Sequence, residues 1–318
     1  MSFASDVRGE LARTPMEDAC CARSELTGAL LCANAITWRG RKRYAVTLTA
    51  SEASTVRRYF AMLKRFYGII GQIRALSGDT LNNQTRYQLV IPEEEAYGLL
   101  QALELLEEGA LFDLRTLPVD ETVRYSCCKK AFVRAAFTLC GAISHPDRNY
   151  HIEIAAPNEA LAGFIVQQLN AFEIEARVSL RKSKYVVYLK RAEDISDMLS
   201  LLGAAKAMMA FENVRVKKEV SNRVNRQLNC DNSNINRSMN AAEAQIRDIR
   251  YIDEELGLDK LPRTLRDMAY TRANNPEMPL AELGELMDPP LGKSGVNARL
   301  RRISAIAVKL RCGDEVRL

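Results

Sequence analysis

The residues with the clearest binding chemistry lie near the carboxyl end of the chain. Residues 289–311 contain six basic side chains and no acidic one, whereas residues 276–288 contain four acidic side chains and no basic one. An α-helix that enters the negatively charged major groove of DNA needs a surface without carboxylates. The separation of charge therefore predicts that the later segment binds double-stranded DNA.

Helical periodicity divides this segment into an inner and an outer face. At about 3.6 residues per turn, one apolar face should pack against the preceding helix at Leu283 and Leu286. That face consists of Val296, Leu300, Ile303 and Ala307. The rest of the helix carries the candidate DNA contacts, which are Lys293, Ser294, Asn297, Arg299, Arg301 and Arg302. Of these, Arg299 and Arg302 are predicted to contact phosphates.

The remaining candidates have more specific roles. Ser294 is predicted to cap the helix, and the helix N-terminus with Lys293 suits a DNA phosphate. Asn297 and Arg301 are candidates for base edges, because Asn pairs with adenine and Arg with guanine. If all six basic residues touch phosphate, the log-affinity against log-salt slope is about −5. The alternative is a basic surface helix that binds nothing.

Short helices must hold this segment in place. The pattern predicts helices over residues 261–273 and 280–287, and a last helix that begins near Lys293 or Ser294. A short helix, a tight turn and a longer basic helix form a helix-turn-helix at about 279–304. The tripeptide at 292–294 has the same residues as the end of the phosphate-binding loop of ATP-binding proteins. That motif needs a glycine at the position where Met287 stands. We therefore expect no ATP site.

Metal binding by cysteine is the second chemistry to consider. The eight cysteines are Cys20, Cys21, Cys32, Cys127, Cys128, Cys140, Cys230 and Cys312. Zinc sites typically have two to four residues between paired ligands, whereas the cysteine pairs here are adjacent. The chain also has only two histidines that could serve as further ligands. We expect these thiols to be buried as small apolar side chains. The sequence thus predicts no metal and no cofactor.

Composition sets the broad class of protein. The chain has 318 residues, of which 47% are hydrophobic and 27% charged, a globular composition that suggests two or three domains. No run approaches the ~18 apolar residues of a membrane helix, and no secretory signal is visible. We expect a soluble cytoplasmic protein that binds no membrane. Of the net charge of +5, residues 213–318 hold +4, which favours an anionic partner.

An internal repeat organises the larger part of the chain. Residues 20–36 align with residues 127–143 without a gap, and the likeness continues through strands and helices at an offset of 106. Each half predicts a helix, two strands, a helix, two strands and a helix. The first helix of each half is rich in small residues that let two backbones approach closely. These are Gly28, Ala29, Ala33, Ala135, Ala136, Cys140 and Gly141.

This paired, small-residue helix resembles the LAGLIDADG homing-endonuclease fold, with motif positions at 26–34 and 133–141. In that family the eighth motif position is acidic and holds the divalent metal ions that cut DNA. Ala33 and Cys140 stand there in this chain, and neither binds magnesium. The resemblance implies a scaffold without nuclease activity, so we predict that the protein is not an enzyme. The alternatives are a protein-assembly module and, less favoured, a metal-dependent endonuclease.

A polar segment separates the repeat from the helical end. Residues 221–240 include seven asparagines, which favour turns and caps over helix interiors. We therefore place a linker here. The predicted division is a first repeat at 1–110, a second at 111–220, the linker at 221–240 and a helical DNA-binding domain at 241–318.

The ordered modules resemble the WhiA family closely, and the match is specific at residues 2–12, 247–252, 257–262, 284–286 and 289–297. The resemblance implies an α+β fold, in which a duplicated LAGLIDADG-like domain of two αββαββα repeats precedes an all-α helix-turn-helix domain. It also implies a sequence-specific, nucleoid-associated regulator of sporulation, cell division and chromosome segregation in Gram-positive bacteria. Double-stranded DNA is the implied partner, with a protein co-regulator on the LAGLIDADG-like domain.

Overall fold

A computed structural model describes residues 2–16, 18–40, 42–76, 85–106, 114–182 and 184–313. The chain divides into two compact units, Met1–Lys218 and Glu219–Leu318. None of the described helices is both long enough and apolar enough to cross a lipid bilayer.

The first unit is built from helices and strands in a repeated order. Its helices are α1 Phe3–Leu11, α2 Ala19–Cys32, α3 Ala53–Tyr67, α4 Glu93–Ala102, α5 Ser126–Cys140, α6 Glu159–Asn170 and α7 Ala192–Leu202. Its strands are β1 Ile36–Gly40, β2 Arg43–Ala50, β3 Gln72–Leu76, β4 Arg86–Ile91, β5 Gly141–Ile143, β6 Ile152–Ala156, β7 Arg177–Arg181 and β8 Lys184–Leu189. Helix α8, Ala205–Glu255, begins in this unit and ends in the second.

The two repeats have the same topology. Their antiparallel sheets have the orders β1-β2-β4-β3 and β5-β6-β8-β7. In β2 and β6 alternate side chains are buried, because one face of each sheet packs on helices. The predicted αββαββα repeat is confirmed.

Helices α2 and α5 lie at the centre of this unit and run parallel. Near their starts the Ser24 hydroxyl donates to the Cys128 carbonyl at 2.7 Å, and near their ends the Cys140 thiol donates to the Cys32 carbonyl at 3.2 Å. Between these contacts, a Cβ added to Gly28 would lie 3.0 Å from a backbone oxygen of α5. The small residues thus allow the close approach that the sequence predicts.

A buried ionic cluster ties these helices to α3. The Glu25 carboxylate of α2 accepts from Arg58 Nε at 2.5 Å and Nη2 at 2.8 Å, and from Arg134 Nη1 at 3.2 Å. Arg58 also donates to the Thr14 carbonyl. Burial by itself would lower the pKa of Arg58, but the hydrogen bond and charge of Glu25 raise it above its ordinary value. Arg58 therefore keeps its positive charge inside the core.

The second unit packs α9 Arg263–Asn274, α10 Leu280–Glu285 and α11 Lys293–Cys312 against the end of α8. Ile249 and Ile252 of α8 join Leu265 and Met268 of α9 in this core. Helix α8 ends before Gly257, where a φ of 86° favours glycine.

The asparagine-rich segment differs from our expectation. Residues 221–240 are helical throughout, within α8, and their side chains are exposed. Turns were expected there, and that expectation is wrong. The reason is that α8 contains neither glycine nor proline, while each asparagine costs only about 0.7 kcal/mol relative to alanine. The contact-based division of the chain falls at 218 and 219, just before the segment.

Candidate nucleic-acid interface

The carboxyl-terminal pair of helices forms the framework of the candidate DNA-binding surface. Val296, Leu300 and Ile303 of α11 are buried in the same core as Leu283 of α10, as the periodicity predicts. Leu286 is 56% exposed, so its predicted contact is wrong. Helix α10 ends at Glu285, so Leu286 leaves the helical face and Met287 takes the inner place.

The connection between α10 and α11 is a folded seven-residue segment, 286–292, rather than a tight turn. It turns back onto Gly284, whose carbonyl accepts from the Leu291 amide at 2.9 Å. A Cβ added to Gly284 would lie 2.0 Å from the Leu291 carbonyl oxygen, which is far inside contact distance. Glycine at 284 is therefore what allows the connection to deliver the chain to the start of α11.

The N-terminus of α11 presents donors to solvent. Gly292 is the N-cap and no side chain caps this end, so the predicted cap by Ser294 is wrong. Ser294 lies inside the first turn, where its side chain is exposed beside that of Lys293. First-turn N–H groups have no partner within a helix. Together with the Lys293 ammonium, they form a surface that suits a phosphate.

The other basic residues of α11 fall into two groups. Arg301 and Arg302 are exposed, and no carboxylate of the described chain lies within 4.0 Å of either guanidinium. In contrast, Arg299 Nη1 donates to the Thr264 carbonyl of α9 at 3.5 Å. Arg299 is thus directed toward its own unit, while the other two remain available to a ligand.

The last turns of α11 show the same division. Arg311 pairs with Asp248 at 2.9 Å and lies 4.8 Å from the centre of the Tyr251 ring. Lys309 is exposed and pairs with no carboxylate among the described residues. Asn297, the candidate adenine contact, is partly exposed on the flank of the helix.

The two residues at the eighth position of the LAGLIDADG-like motif lie at the C-terminal ends of α2 and α5. Ala33 follows α2, and Cys140 is the last residue of α5. Burial raises the pKa of Cys140 to about 11, although the charges of Lys184 and Arg8 oppose this. Arg8 donates to the Gly141 carbonyl at 2.6 Å, so a positively charged guanidinium group lies at these helix ends.

Sequence reasoning missed a cluster at the opposite ends of the same helices. The sulfurs of Cys20, Cys21, Cys127 and Cys128 all lie within 4.8 Å of one another. The sequence feature that could have revealed this cluster is the 107-residue offset of the internal repeat, which aligns one adjacent pair of cysteines with the other. Expected burial holds for Cys32 and Cys128, but Cys127, Cys230 and Cys312 are exposed.

The thiols of this cluster perturb one another. Burial and hydrogen bonding to Cys127 raise the pKa of Cys21 far above its ordinary value, and burial raises that of Cys128 to about 12. Burial opposes ionisation of Cys127 too, but hydrogen bonds from Cys21 and Cys128 lower its pKa. Cys127 therefore ionises more readily than Cys21 or Cys128.

Three family models match the chain in succession. The WhiA N-terminal LAGLIDADG-like domain matches residues 19–106, the WhiA LAGLIDADG-like domain residues 129–221, and the WhiA C-terminal HTH domain residues 224–307. The chain belongs to the WhiA family. The family predicted from the sequence is confirmed.

Relatives of similar length support the same conclusion. The protein named "Probable cell division protein WhiA" of Desulforamulus reducens is 36% identical over 323 residues, which cover 99% of this chain and 98% of the relative. The protein of the same name from Thermoanaerobacter pseudethanolicus is 38% identical, with 98% of each covered. The crystal structure of full-length DUF199/WhiA from Thermatoga maritima has a TM-score of 0.59 at 22% identity, covering 97% of this chain and 99% of that one. This likeness confirms the predicted α+β fold.

The WhiA helix-turn-helix match contains every residue that the sequence singled out for DNA. It also begins inside α8, three residues after the preceding LAGLIDADG-like match ends. Lys293, Ser294, Arg301 and Arg302 lie on the exposed surface of this WhiA domain, whereas Arg299 and Asn297 lie on its partly buried flank.

Proposed function

We propose that this WhiA-family protein is a sequence-specific DNA-binding regulator that reads double-stranded DNA through α11. The observation that carries the proposal is the unpaired basic surface along the first half of this helix. Lys293, Arg301 and Arg302 are exposed there, and residues 289–311 contain no carboxylate. A helix-turn-helix protein places the N-terminal residues of its second helix against base edges in the major groove.

Base reading is assigned to Asn297 and Arg301. They are four residues apart on α11, so they lie on successive turns of one helix, about 6 Å apart along its axis. That separation lets the two side chains reach neighbouring base pairs from one helix in the groove. Asn can bind adenine and Arg can bind guanine through two hydrogen bonds each, which discriminate by about 1–3 kcal/mol per pair.

Phosphate binding is assigned to the helix N-terminus with Lys293 and Ser294, and to Arg302. Arg299 remains a phosphate candidate only if it leaves the Thr264 carbonyl. The expected salt dependence is smaller than the sequence suggested, because Arg299 and Arg311 have partners within their own unit. Because Arg301 is assigned to a base edge, Lys293, Arg302 and Lys309 are the basic residues left for phosphate, and the log-affinity against log-salt slope is about −2.7.

We also propose that the LAGLIDADG-like unit does not cut DNA. Hydrolysis by this fold needs carboxylates that bind divalent cations, and hard cations prefer oxygen ligands. The two equivalent positions hold Ala33 and Cys140, and the Arg8 guanidinium lies at the same helix ends. Supercoiled plasmid incubated with the protein and magnesium or manganese should remain unnicked, and stoichiometric nicking would contradict this.

The names of the relatives, which are called cell division proteins, support a role in cell division. We place this chain in the control of genes for division, sporulation and chromosome segregation, on the nucleoid. A protein co-regulator bound to the LAGLIDADG-like unit stays a prediction from the sequence.

The test is DNA binding by the full chain. Preferred sequences are selected from a random duplex library, and affinity is then measured for the selected site and an unrelated duplex. Arg301→Ala should weaken binding to the selected site by about 1–3 kcal/mol and relax the preference at one base pair. The control is Arg247→Ala, which removes the same charge from an exposed pair with Glu243 on α8. An equal loss on both duplexes would assign Arg301 to phosphate, and no loss would refute the proposed surface.

A further inference from the structure

The four clustered cysteines come from matching places in the two repeats. Cys20 and Cys21 lie in the first turn of α2, and Cys127 and Cys128 lie in the first turn of α5. All four sulfurs are within 4.8 Å of one another, and those of Cys127 and Cys128 are 4.0 Å apart. Parallel packing of α2 and α5 is what brings the two first turns together.

This spacing fits a mononuclear metal site. With zinc–sulfur bonds of about 2.3 Å, the sulfurs of a tetrahedral site are about 3.8 Å apart, so shifts of up to about 1 Å would complete it. A disulfide needs a sulfur–sulfur distance of about 2.0 Å. The observed separations of the sulfurs are closer to those of a tetrahedral zinc site than to that bond length. In a four-iron cluster each thiolate binds a different iron, so its sulfurs are spread more widely.

We propose that Cys20, Cys21, Cys127 and Cys128 bind one zinc ion as a tetrahedral tetrathiolate between the two repeats. The sequence alone argued against a metal, because neither adjacent pair has the usual gap of two to four residues. In the tertiary structure the four ligands come instead from two adjacent pairs that are 107 residues apart in the sequence and lie together in space.

The charge at this site suits thiolates. Four thiolates and one zinc ion carry a net charge of −2, and the positive ends of two helix dipoles converge on the cluster. Helix N-termini lower thiol pKa values and stabilise the anion. The two helices thus stabilise the charge that zinc binding leaves.

The cluster is open to entering metal. Cys127 is exposed, and a cleft of about 340 Å³ lined by Ala19, Cys20, Arg23, Phe66 and Tyr67 reaches it from the side of α2. When zinc binds, four zinc–sulfur bonds form and each thiol releases its proton to solvent, with no change of oxidation state.

The proposed site is distinct from the position of the LAGLIDADG metals. Cys20 and Cys32 mark opposite ends of α2 and are about 18 Å apart along its axis. Zinc at the N-terminal ends would cross-link the two repeats. The group of described side chains that would hold it consists of cysteines alone and contains no carboxylate. Its role is therefore to stabilise the pairing of α2 with α5.

The first experiment measures metal stoichiometry in the full-length protein, purified under reducing conditions and stripped with a chelator. Added zinc should bind at one ion per chain, and cobalt(II) should give the visible absorption of a tetrahedral thiolate site that zinc then abolishes. The variant Cys20→Ser with Cys127→Ser should lower zinc affinity more than tenfold. The control Cys230→Ser with Cys312→Ser changes two exposed cysteines outside the cluster and should bind as the original chain does.

The second experiment needs no variant, so it stands even if the double substitution impairs folding. Thiol alkylation of the natural chain is followed by mass spectrometry with and without zinc. Zinc should protect Cys20, Cys21, Cys127 and Cys128, and leave Cys230 and Cys312 reactive. Equal alkylation of all six with zinc, binding below one ion per chain, undiminished affinity in the cluster variant, or disulfides among the four in anaerobically purified protein would each overturn the site.

Discussion

The paired helices α2 and α5 and the helix α11 use charged residues in opposite ways. Glu25, Arg58 and Arg134 beside the paired helices satisfy one another in the core. On α11, Arg301 and Arg302 face solvent without a carboxylate of the described chain beside them. The first arrangement holds a fold together, and the second leaves charge for a ligand.

The difference has a physical basis. A buried ion is stable only while its partners remain, because an unpaired charge in the core lacks the solvation of water. An exposed ion is solvated whether or not it is paired, so it contributes little to folding. Substitutions in the two regions should therefore separate stability from DNA binding, and the following expectations test that separation.

The largest loss of stability is expected for Glu25→Ala. Removing this carboxylate leaves the buried Arg58 guanidinium and the partly buried Arg134 guanidinium without their shared carboxylate, which should lower the free energy of unfolding by about 3–5 kcal/mol. Urea unfolding followed by circular dichroism measures the change. The matched control is Glu243→Ala, which breaks an exposed pair on α8 and should cost no more than about 0.5 kcal/mol. Similar losses for both variants would refute the structural role given to the buried cluster.

A smaller loss is expected for Gly284→Ala. The added methyl group meets the Leu291 carbonyl oxygen, and overpacking of this kind costs about 1–3 kcal/mol. DNA affinity should fall with it, since the connection positions the start of α11. Gly163→Ala is the control, because its Cβ meets nothing within 4 Å and its helix should gain about 0.5–1 kcal/mol. Thermal melts that move in the same direction for both variants would contradict this account.

The smallest effects on stability should distinguish Arg302 from Arg311. Arg302→Ala should change the free energy of unfolding by less than about 0.5 kcal/mol, yet reduce the salt slope of DNA binding by about 1. Arg311→Ala removes the partly exposed pair with Asp248, so it should lower stability by up to about 1 kcal/mol and leave the slope unchanged. An unchanged slope for Arg302→Ala would remove that residue from the DNA contacts.

Local sequence patterns predicted much of the molecule. The repeated helix and strand order and the buried face of α11 both follow from periodicity within a few residues. The same local reasoning was wrong about turns at 221–240, since asparagine preference is weaker than the continuity of a helix without glycine or proline. It also misplaced Leu286 and Ser294, whose environments depend on where a helix ends within one or two residues.

By itself the sequence determined the two repeats, the absence of acidic residues at positions 33 and 140, and the acid-free face of the last helix, because residue type and short-range periodicity are properties of the chain. Only the tertiary structure decided which arginines are held by their own unit and which remain available. It alone brought Cys20 and Cys21 to Cys127 and Cys128. Those outcomes depend on contacts between residues far apart in sequence, and such contacts are set by how helices pack rather than by any local pattern.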